Sequence, residues 1–135
     1  MSQPEDIQIL VADRLQQSQD AVSEGRLLMQ SKFYKGAINR FYYAMFYAVL
    51  ALLVARQLET SKHKGVISLF DRDFVKPGIF NKEMSVWLHS SFELRLTADY
   101  AELTDISAAQ AEECYSQASE FLQRVRDFLT NSERS

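Results

Sequence analysis

The chain has 135 residues, a formal net charge of -3 and one cysteine. This length fits a single domain, and the negative charge gives no overall basic field of the kind found on many nucleic-acid-binding proteins. One cysteine excludes an intrachain disulfide and fits a reducing compartment. The amino-terminal residues lack a basic segment followed by an apolar core, so we expect no secretory signal and a cytoplasmic protein.

The composition predicts an all-α protein, because glycine and proline are scarce and few segments alternate with period two. We expect an up-and-down helical bundle of four long helices plus a shorter one. The predicted helices span 4–29, 33–57, 63–74 and 82–98, and the last begins after Ser107. We expect one domain over residues 1–131 and a flexible, polar C-terminal tail over 132–135.

The first predicted helix begins with Pro4, which suits a first turn because the N–H that it lacks would be unpaired there. Gly25 lies near its other end, where a glycine weakens a helix. The apolar positions form a loose stripe made of Ile7, Val11, Leu15, Val22 and Leu28.

The second predicted helix contains fifteen consecutive apolar or aromatic residues, Phe41 to Ala55, between Arg40 and Arg56. A membrane span needs about 20 such residues, and three of these fifteen are tyrosines. We therefore interpret the segment as a central core helix and expect no membrane association. Its small residues form a stripe that lets another helix approach closely, from the same chain or from a second copy: Ala44, Ala48, Ala51 and Ala55.

Arg40, Tyr43 and Tyr47 share one face of this helix, with Arg40 and Tyr47 about 10 Å apart along its axis. In one interpretation Arg40 simply ends the buried segment and reaches water, and the tyrosines are amphipathic core residues. In the other, the three residues form a polar, phosphate-binding site at a groove or a dimer interface.

The third predicted helix is short and ends at the turn Lys76-Pro77-Gly78, since a proline disfavours helical geometry in the residue before it. It follows a basic segment made of Lys62, His63 and Lys64. This segment is either a phosphate-binding patch, because helix N-termini attract anions, or an ordinary solvated loop.

The fourth predicted helix begins after Asn81, a suitable N-cap residue. His89 is interpreted as a surface or interface residue. Arg95 and Asp99 are four residues apart, so their side chains can pair.

The fifth predicted helix begins with a capping box, in which Ser107 and Gln110 each satisfy a free backbone N–H. The apolar seam of a left-handed bundle follows: Ala108, Ala111, Tyr115, Ala118, Leu122, Val125 and Leu129. Cys114 adjoins this seam and is interpreted as a buried structural thiol. With two histidines and no close group of acidic or cysteine ligands, we predict no metal site and no cofactor.

Three segments of the chain resemble the HEPN domain (higher eukaryotes and prokaryotes nucleotide-binding). They are NRFYYAMFYA (39–48), KHKGV (62–66) followed by Phe70 and FVKPG (74–78), and RLTADY (95–100). Their order and spacing match the family, and the resemblance covers roughly residues 5–130.

The resemblance implies an α-helical bundle that commonly forms homodimers. Many members resemble toxins and are often encoded beside a minimal nucleotidyltransferase that acts as the antitoxin. Active members are metal-independent endoribonucleases with an R-x(4–6)-H motif, whose arginine and histidine meet at the dimer interface. Such a reaction needs groups that move protons, which histidine does near neutral pH, and a group that stabilises developing charge, which arginine does.

The chain departs from this motif at one position. Arg40 matches the arginine, but Tyr47 stands where the histidine would fall. A phenol titrates near pH 10 and is a poor base at neutral pH, although it can donate a hydrogen bond to phosphate. His63 could supply the missing imidazole from elsewhere in the fold.

The resemblance therefore assigns Arg40 and Tyr47 as candidate catalytic residues. The basic segment, Lys62 to Lys64, is a candidate for phosphate or RNA binding. The residues that would support the Arg40 cleft are Asn39, Tyr43, Arg95, Asp99 and Tyr100. The alternative for Arg95 and Asp99 is an ordinary ion pair that orients the end of the helix.

Three functions follow from these residues. The first is a HEPN toxin-like protein that acts on RNA or a nucleotide, with a degenerate R-x6-Y motif. The second is a non-catalytic helical interaction module that binds a nucleotidyltransferase partner or a nucleotide. The third is a helical dimer without a small-molecule site.

Overall fold

The computed structural model describes residues 4–58, 60, 62–100 and 105–134, with the side chains of 99, 100 and 132–134 left aside. Its elements are α1 (Pro4–Gln30), α2 (Tyr34–Ala55), α3 (His63–Phe70), a π turn (Asp71–Val75), α4 (Lys82–Tyr100) and α5 (Ala108–Arg134). No strand occurs within the described ranges, which agrees with the predicted all-α bundle of four long helices and a shorter one.

Helix α2 lies at the centre of the bundle, as its hydrophobicity predicted, and it contacts α1, α3, α4 and α5. Phe41, Tyr42 and Met45 are completely buried on it. By length and composition alone α2 could cross a membrane, but 67% of its most apolar 18-residue window is buried inside the fold. Burial of this kind is typical of the core helix of a soluble protein.

Helix α1 packs closely on α2 because it places small residues, Ser18 and Gly25, at the contact. Gly25 is buried on α1, and a Cβ placed there would lie 2.7 Å from Cδ1 of Phe41. Ser18 is also buried and donates a 2.6 Å hydrogen bond from Oγ to the carbonyl oxygen of Ala44. The small-residue stripe of α2 is therefore used, at Ala44, by a helix of the same chain.

The prediction of a third helix over 63–74 is wrong in one respect, because the segment is α-helical only to Phe70. A π turn follows, in which the backbone N–H of Lys76 donates to the carbonyl oxygen of Asp71 over 2.8 Å. In this turn the Asp71 carboxylate accepts hydrogen bonds from α4, and Phe74 remains fully buried. Gly78, at a φ of 87°, ends the segment with a left-handed turn that suits glycine.

Both predicted caps are formed. Asn81 Oδ1 accepts from the backbone N–H of Glu83 over 3.0 Å. The backbone N–H groups of Ser107 and Gln110 each donate to the other residue's side chain, over 2.9 and 3.1 Å, which is a complete capping box.

Most of the seam predicted on α5 is buried, but Tyr115 is half-buried and Ala108, in the first turn, is exposed. Phe121, which the seam did not include, is completely buried. Helix α5 continues to Arg134. The division into a domain over 1–131 and a tail over 132–135 stays a prediction.

Candidate functional site

The ring of Tyr43 is the point at which three nitrogen-bearing side chains from three helices meet. The guanidinium carbons of Arg40 and Arg95 each lie 5.5 Å from its centroid. The imidazole of His63 stands edge-on to the same ring, with centroids 5.7 Å apart and planes at 88°. We call Arg40, Tyr43, His63 and Arg95 the Tyr43 cluster; α2 supplies two of them, α3 one and α4 one.

Tyr47 extends the cluster along α2. Its ring centroid lies 5.9 Å from that of Tyr43, and Arg40, Tyr43 and Tyr47 are all half-buried. The shared face predicted for these three residues is therefore confirmed as geometry, while their catalytic role stays a prediction.

His63 contacts three aromatic rings, those of Tyr42, Tyr43 and Phe46, and makes one hydrogen bond. Its ring stacks on Phe46, with centroids 4.3 Å apart and planes at 20°. Its Nδ1 lies 2.9 Å from the phenol oxygen of Tyr42. Burial lowers the pKa of His63 below its ordinary value, and the positive charge of Arg95 lowers this pKa further. The neutral imidazole is therefore favoured at neutral pH.

Tyr42 is the residue of this site that sequence reasoning missed. It was interpreted as part of the core, and it is indeed completely buried. Burial raises its pKa above the ordinary value, against the opposing effect of Arg95 and with a smaller contribution from Tyr43, so the phenol keeps its proton. The guanidinium carbon of Arg95 lies 5.0 Å from the Tyr42 ring. Tyr42 thus joins the cluster to the core.

Arg40 has an acidic neighbour that its own helix did not reveal. Arg40 Nη2 lies 3.3 Å from Glu24 Oε1 on α1, and the two side chains are 30% and 58% exposed. Within the described part of the chain, Arg40 Nε is buried and has no hydrogen-bond partner. The pair is open enough for an anion to compete with Glu24 for the guanidinium.

The other predicted site residues have different surroundings. Lys62 and Lys64 are exposed on either side of His63 in the chain. Asn39 is half-buried, and its side chain makes no hydrogen bond to any residue that the structure describes. The side chains of Asp99 and Tyr100 lie outside the described residues, so the predicted Arg95–Asp99 pair and the role of Tyr100 stay predictions.

His89 lies on the surface, as predicted, in a separate cluster around the π turn. Its Nε2 is 2.6 Å from Asp71 Oδ2, and Ser85 Oγ donates to Asp71 Oδ1 over 2.7 Å. Because both side chains bond to the carboxylate and the serine does not bond to the imidazole, this is a structural bracket between the turn and α4. It is not a nucleophile–base pair.

Cys114 is buried beside the α5 seam, as predicted. Burial raises the pKa of its thiol to about 11, with a smaller effect from Glu113, so it is not an activated nucleophile. Over the described residues, no group of three histidine, cysteine or acidic side chains is placed to hold a metal ion.

Comparison with known proteins identifies the family. The model of the HEPN domain matches residues 11–128. The chain belongs to the HEPN domain family. The match covers α2, α3 and α4, and with them every residue of the Tyr43 cluster.

Three relatives align over most of their length with this HEPN domain. A UPF0332 protein of Thermotoga maritima is 36% identical over 118 residues, covering 87% of this chain and 89% of the relative. Two proteins of Methanocaldococcus jannaschii are named as candidate toxins. One is 32% identical over 93% of this chain and 90% of its own length, and the other is 30% identical over 85% and 78%.

Proposed function

We propose that this HEPN domain is a toxin-like protein that acts on RNA, and that the Tyr43 cluster binds an RNA phosphate. The observation that carries the proposal is the meeting of Arg40, Arg95 and His63 around one ring. Guanidinium groups supply positive charge to an anion, and a neutral imidazole supplies one N–H donor. The names of the two Methanocaldococcus relatives support the toxin-like part.

The two charged side chains of the Tyr43 cluster, Arg40 and Arg95, are both cationic, although the whole chain carries -3. The exposed Lys62 and Lys64 flank His63, and Glu24 is the acidic side chain that pairs with Arg40. Guanidinium groups suit phosphate because their planar N–H donors match two oxygens at once. An RNA strand also presents bases that stack on exposed rings, and Tyr43 and Tyr47 are both partly accessible.

A matched pair of arginine variants tests phosphate binding. Arg40→Gln removes a charge within the cluster, and Arg56→Gln removes the same charge sixteen residues further along the chain, about 24 Å away along the helix axis. Fluorescence anisotropy with a short single-stranded RNA at low salt should show binding weakened about tenfold by Arg40→Gln and little changed by Arg56→Gln. Equal affinities for both variants and the wild type would count against the site.

We extend the proposal to metal-independent cleavage, in which the 2′-oxygen of the RNA attacks phosphorus, a solvent water takes its proton and the P–O5′ bond breaks. Arg40 stabilises the phosphate charge, and Tyr47, two turns along α2, is the candidate donor that protonates the leaving 5′-oxygen and regains its proton from solvent. The purified protein should cleave RNA in the presence of EDTA and leave 2′,3′-cyclic phosphate ends, and Arg40→Gln should abolish this activity. If the protein binds RNA but the wild type and Arg40→Gln give the same RNA products, the enzymatic part fails.

A second function is favoured by Tyr47, which stands at the position of the motif histidine. In this alternative the domain is a non-catalytic module that binds a nucleotidyltransferase or a nucleotide. We also propose that the protein is a cytoplasmic homodimer. Sedimentation velocity tests the dimer, and co-purification with the product of a neighbouring nucleotidyltransferase gene tests the partner; a failure to co-purify would oppose the alternative.

A further inference from the structure

We infer that Tyr42 is a positioning residue that holds His63 as the neutral tautomer with its proton on Nε2. His63 would then present a hydrogen-bond donor, not a base, to an RNA phosphate. The binding of phosphate by His63 rests on the proposed function. The tautomer is a property of the free protein and is tested without RNA.

The direction of the Tyr42–His63 hydrogen bond follows from burial. Tyr42 is completely buried, and its hydroxyl proton needs an acceptor because an unpaired buried donor is costly. Among the described residues, the acceptor within reach is His63 Nδ1, at 2.9 Å. If Nδ1 carried the proton instead, the phenol could only accept there, and its own proton would have no partner. Tyr42 therefore donates, and Nδ1 of His63 accepts.

Accepting at Nδ1 places the imidazole proton on Nε2, because a neutral histidine carries one proton. No described residue forms a hydrogen bond with Nε2, and this atom is not buried. Nε2 is therefore accessible. The outward nitrogen of His63 is a donor, and it is available to a ligand that approaches the Tyr43 cluster.

The charges around His63 favour the same state. Arg95 on α4 and Arg40 on α2 each contact the ring of Tyr43 that His63 also contacts. The exposed Lys62 and Lys64 flank His63 in the chain. A second proton on His63 would add a cation to this group and would turn Nδ1 into a donor facing the phenol. An anionic oxygen is the ligand that gains from both the cations and the Nε2–H.

Nuclear magnetic resonance of ¹⁵N-histidine-labelled protein tests the tautomer directly. The His89→Gln background leaves only the signals of His63, because the chain has two histidines and the His89 side chain is 52% exposed. Long-range ¹H–¹⁵N spectra at neutral pH should show Nε2 protonated and Nδ1 unprotonated. Tyr42→Phe, which keeps the ring and removes the hydroxyl, should give a mixture of the two tautomers. A protonated Nδ1 in the parent protein, or the same spectrum in Tyr42→Phe, would overturn the inference.

RNA binding tests the donor role separately. His63→Ala should weaken the binding of a short single-stranded RNA roughly threefold to tenfold, since it removes one hydrogen bond. His63→Gln, whose amide N–H lies near the position of Nε2–H, should restore part of the affinity. If the wild type binds RNA and His63→Ala binds equally well, the donor role is wrong. If the wild type does not bind RNA, the proposed function fails, and the nuclear magnetic resonance result still decides the tautomer.

Discussion

Gly25→Ala tests the close contact on which the placement of α1 against α2 depends. A Cβ at Gly25 would lie 2.7 Å from Cδ1 of Phe41 and closer still to Cε1. Phe41 is completely buried and also contacts the ring of Tyr115, with centroids 5.6 Å apart, so it has little room to move. The extra methyl group should therefore force α1 away from α2 or Phe41 out of its preferred rotamer.

Two opposing effects set the size of the change. Overpacking a well-packed core costs about 1–3 kcal/mol of unfolding free energy. Alanine in place of glycine inside a helix returns about 0.5–1 kcal/mol. We expect Gly25→Ala to lower the unfolding free energy by about 1–2 kcal/mol. Because Glu24 is the neighbouring residue, a shift of α1 would also loosen its contact with Arg40.

Urea denaturation followed by circular dichroism measures this change, at one fixed protein concentration in case subunits associate. Gly36→Ala is the control, because its Cβ would lie 3.3 Å from Cδ1 of Leu28, the mobile end of a half-buried side chain. Gly36→Ala should leave stability unchanged or raise it by up to about 1 kcal/mol. If Gly25→Ala is as stable as the wild type, the reasoning about the Phe41 contact is refuted.

Three further predictions concern charge, chemistry and pH. Glu24→Gln should change the unfolding free energy by less than about 1 kcal/mol, because both side chains of the pair are partly exposed. The same change removes the carboxylate that competes for Arg40, so it should tighten RNA binding a few-fold at low salt. Weaker binding in the anisotropy assay would contradict this. Tyr47→His creates an R-x6-H motif and should increase the yield of 2′,3′-cyclic phosphate ends in EDTA. Tyr47→Phe should not increase this yield. Equal yields from the two variants would contradict the motif assignment. Burial raises the pKa of the Cys114 thiol to about 11 from an ordinary 9.0. As pH rises, the thiol therefore loses its proton in the unfolded chain before it does so in the folded protein. Its contribution to stability is complete below pH 9 and is lost as pH rises towards 11. Urea titrations across this range should show a fall of about 1–2 kcal/mol in the wild type that is missing from Cys114→Ala, and parallel pH profiles would show that the thiol is not buried as described.

The helices that the sequence predicted well are those with local signals. The capping box at Ser107 and the N-cap at Asn81 depend on residues two or three positions apart, so the local sequence is enough to predict them. The central position of α2 follows from its composition alone. These signals act within a single helix and need no knowledge of what packs against it.

The features that the sequence did not reveal depend on contacts between helices. The π turn accompanies hydrogen bonds that Ser85 and His89, 14 and 18 residues away, donate to the Asp71 carboxylate. The pairing of Glu24 with Arg40 joins α1 to α2. Tyr42 was interpreted as a core residue, because the sequence does not distinguish a tyrosine that is only buried from one that is buried and also bonds to His63. The spacing within one helix carries no information about any of these partners.

The Tyr43 ring also changes how the R-x6-Y spacing should be interpreted. Seen along α2 alone, Tyr47 in place of histidine indicates that the site has lost its imidazole. In the fold, the rings of Tyr47 and His63 lie 5.9 and 5.7 Å from the same Tyr43 ring, so α3 brings an imidazole as close to it as α2 brings the phenol. The two positions are not equivalent, however, because Tyr42 holds one nitrogen of His63. An imidazole at position 47 would be free of Tyr42, which is why the motif histidine and His63 should differ in chemistry although they share a neighbour.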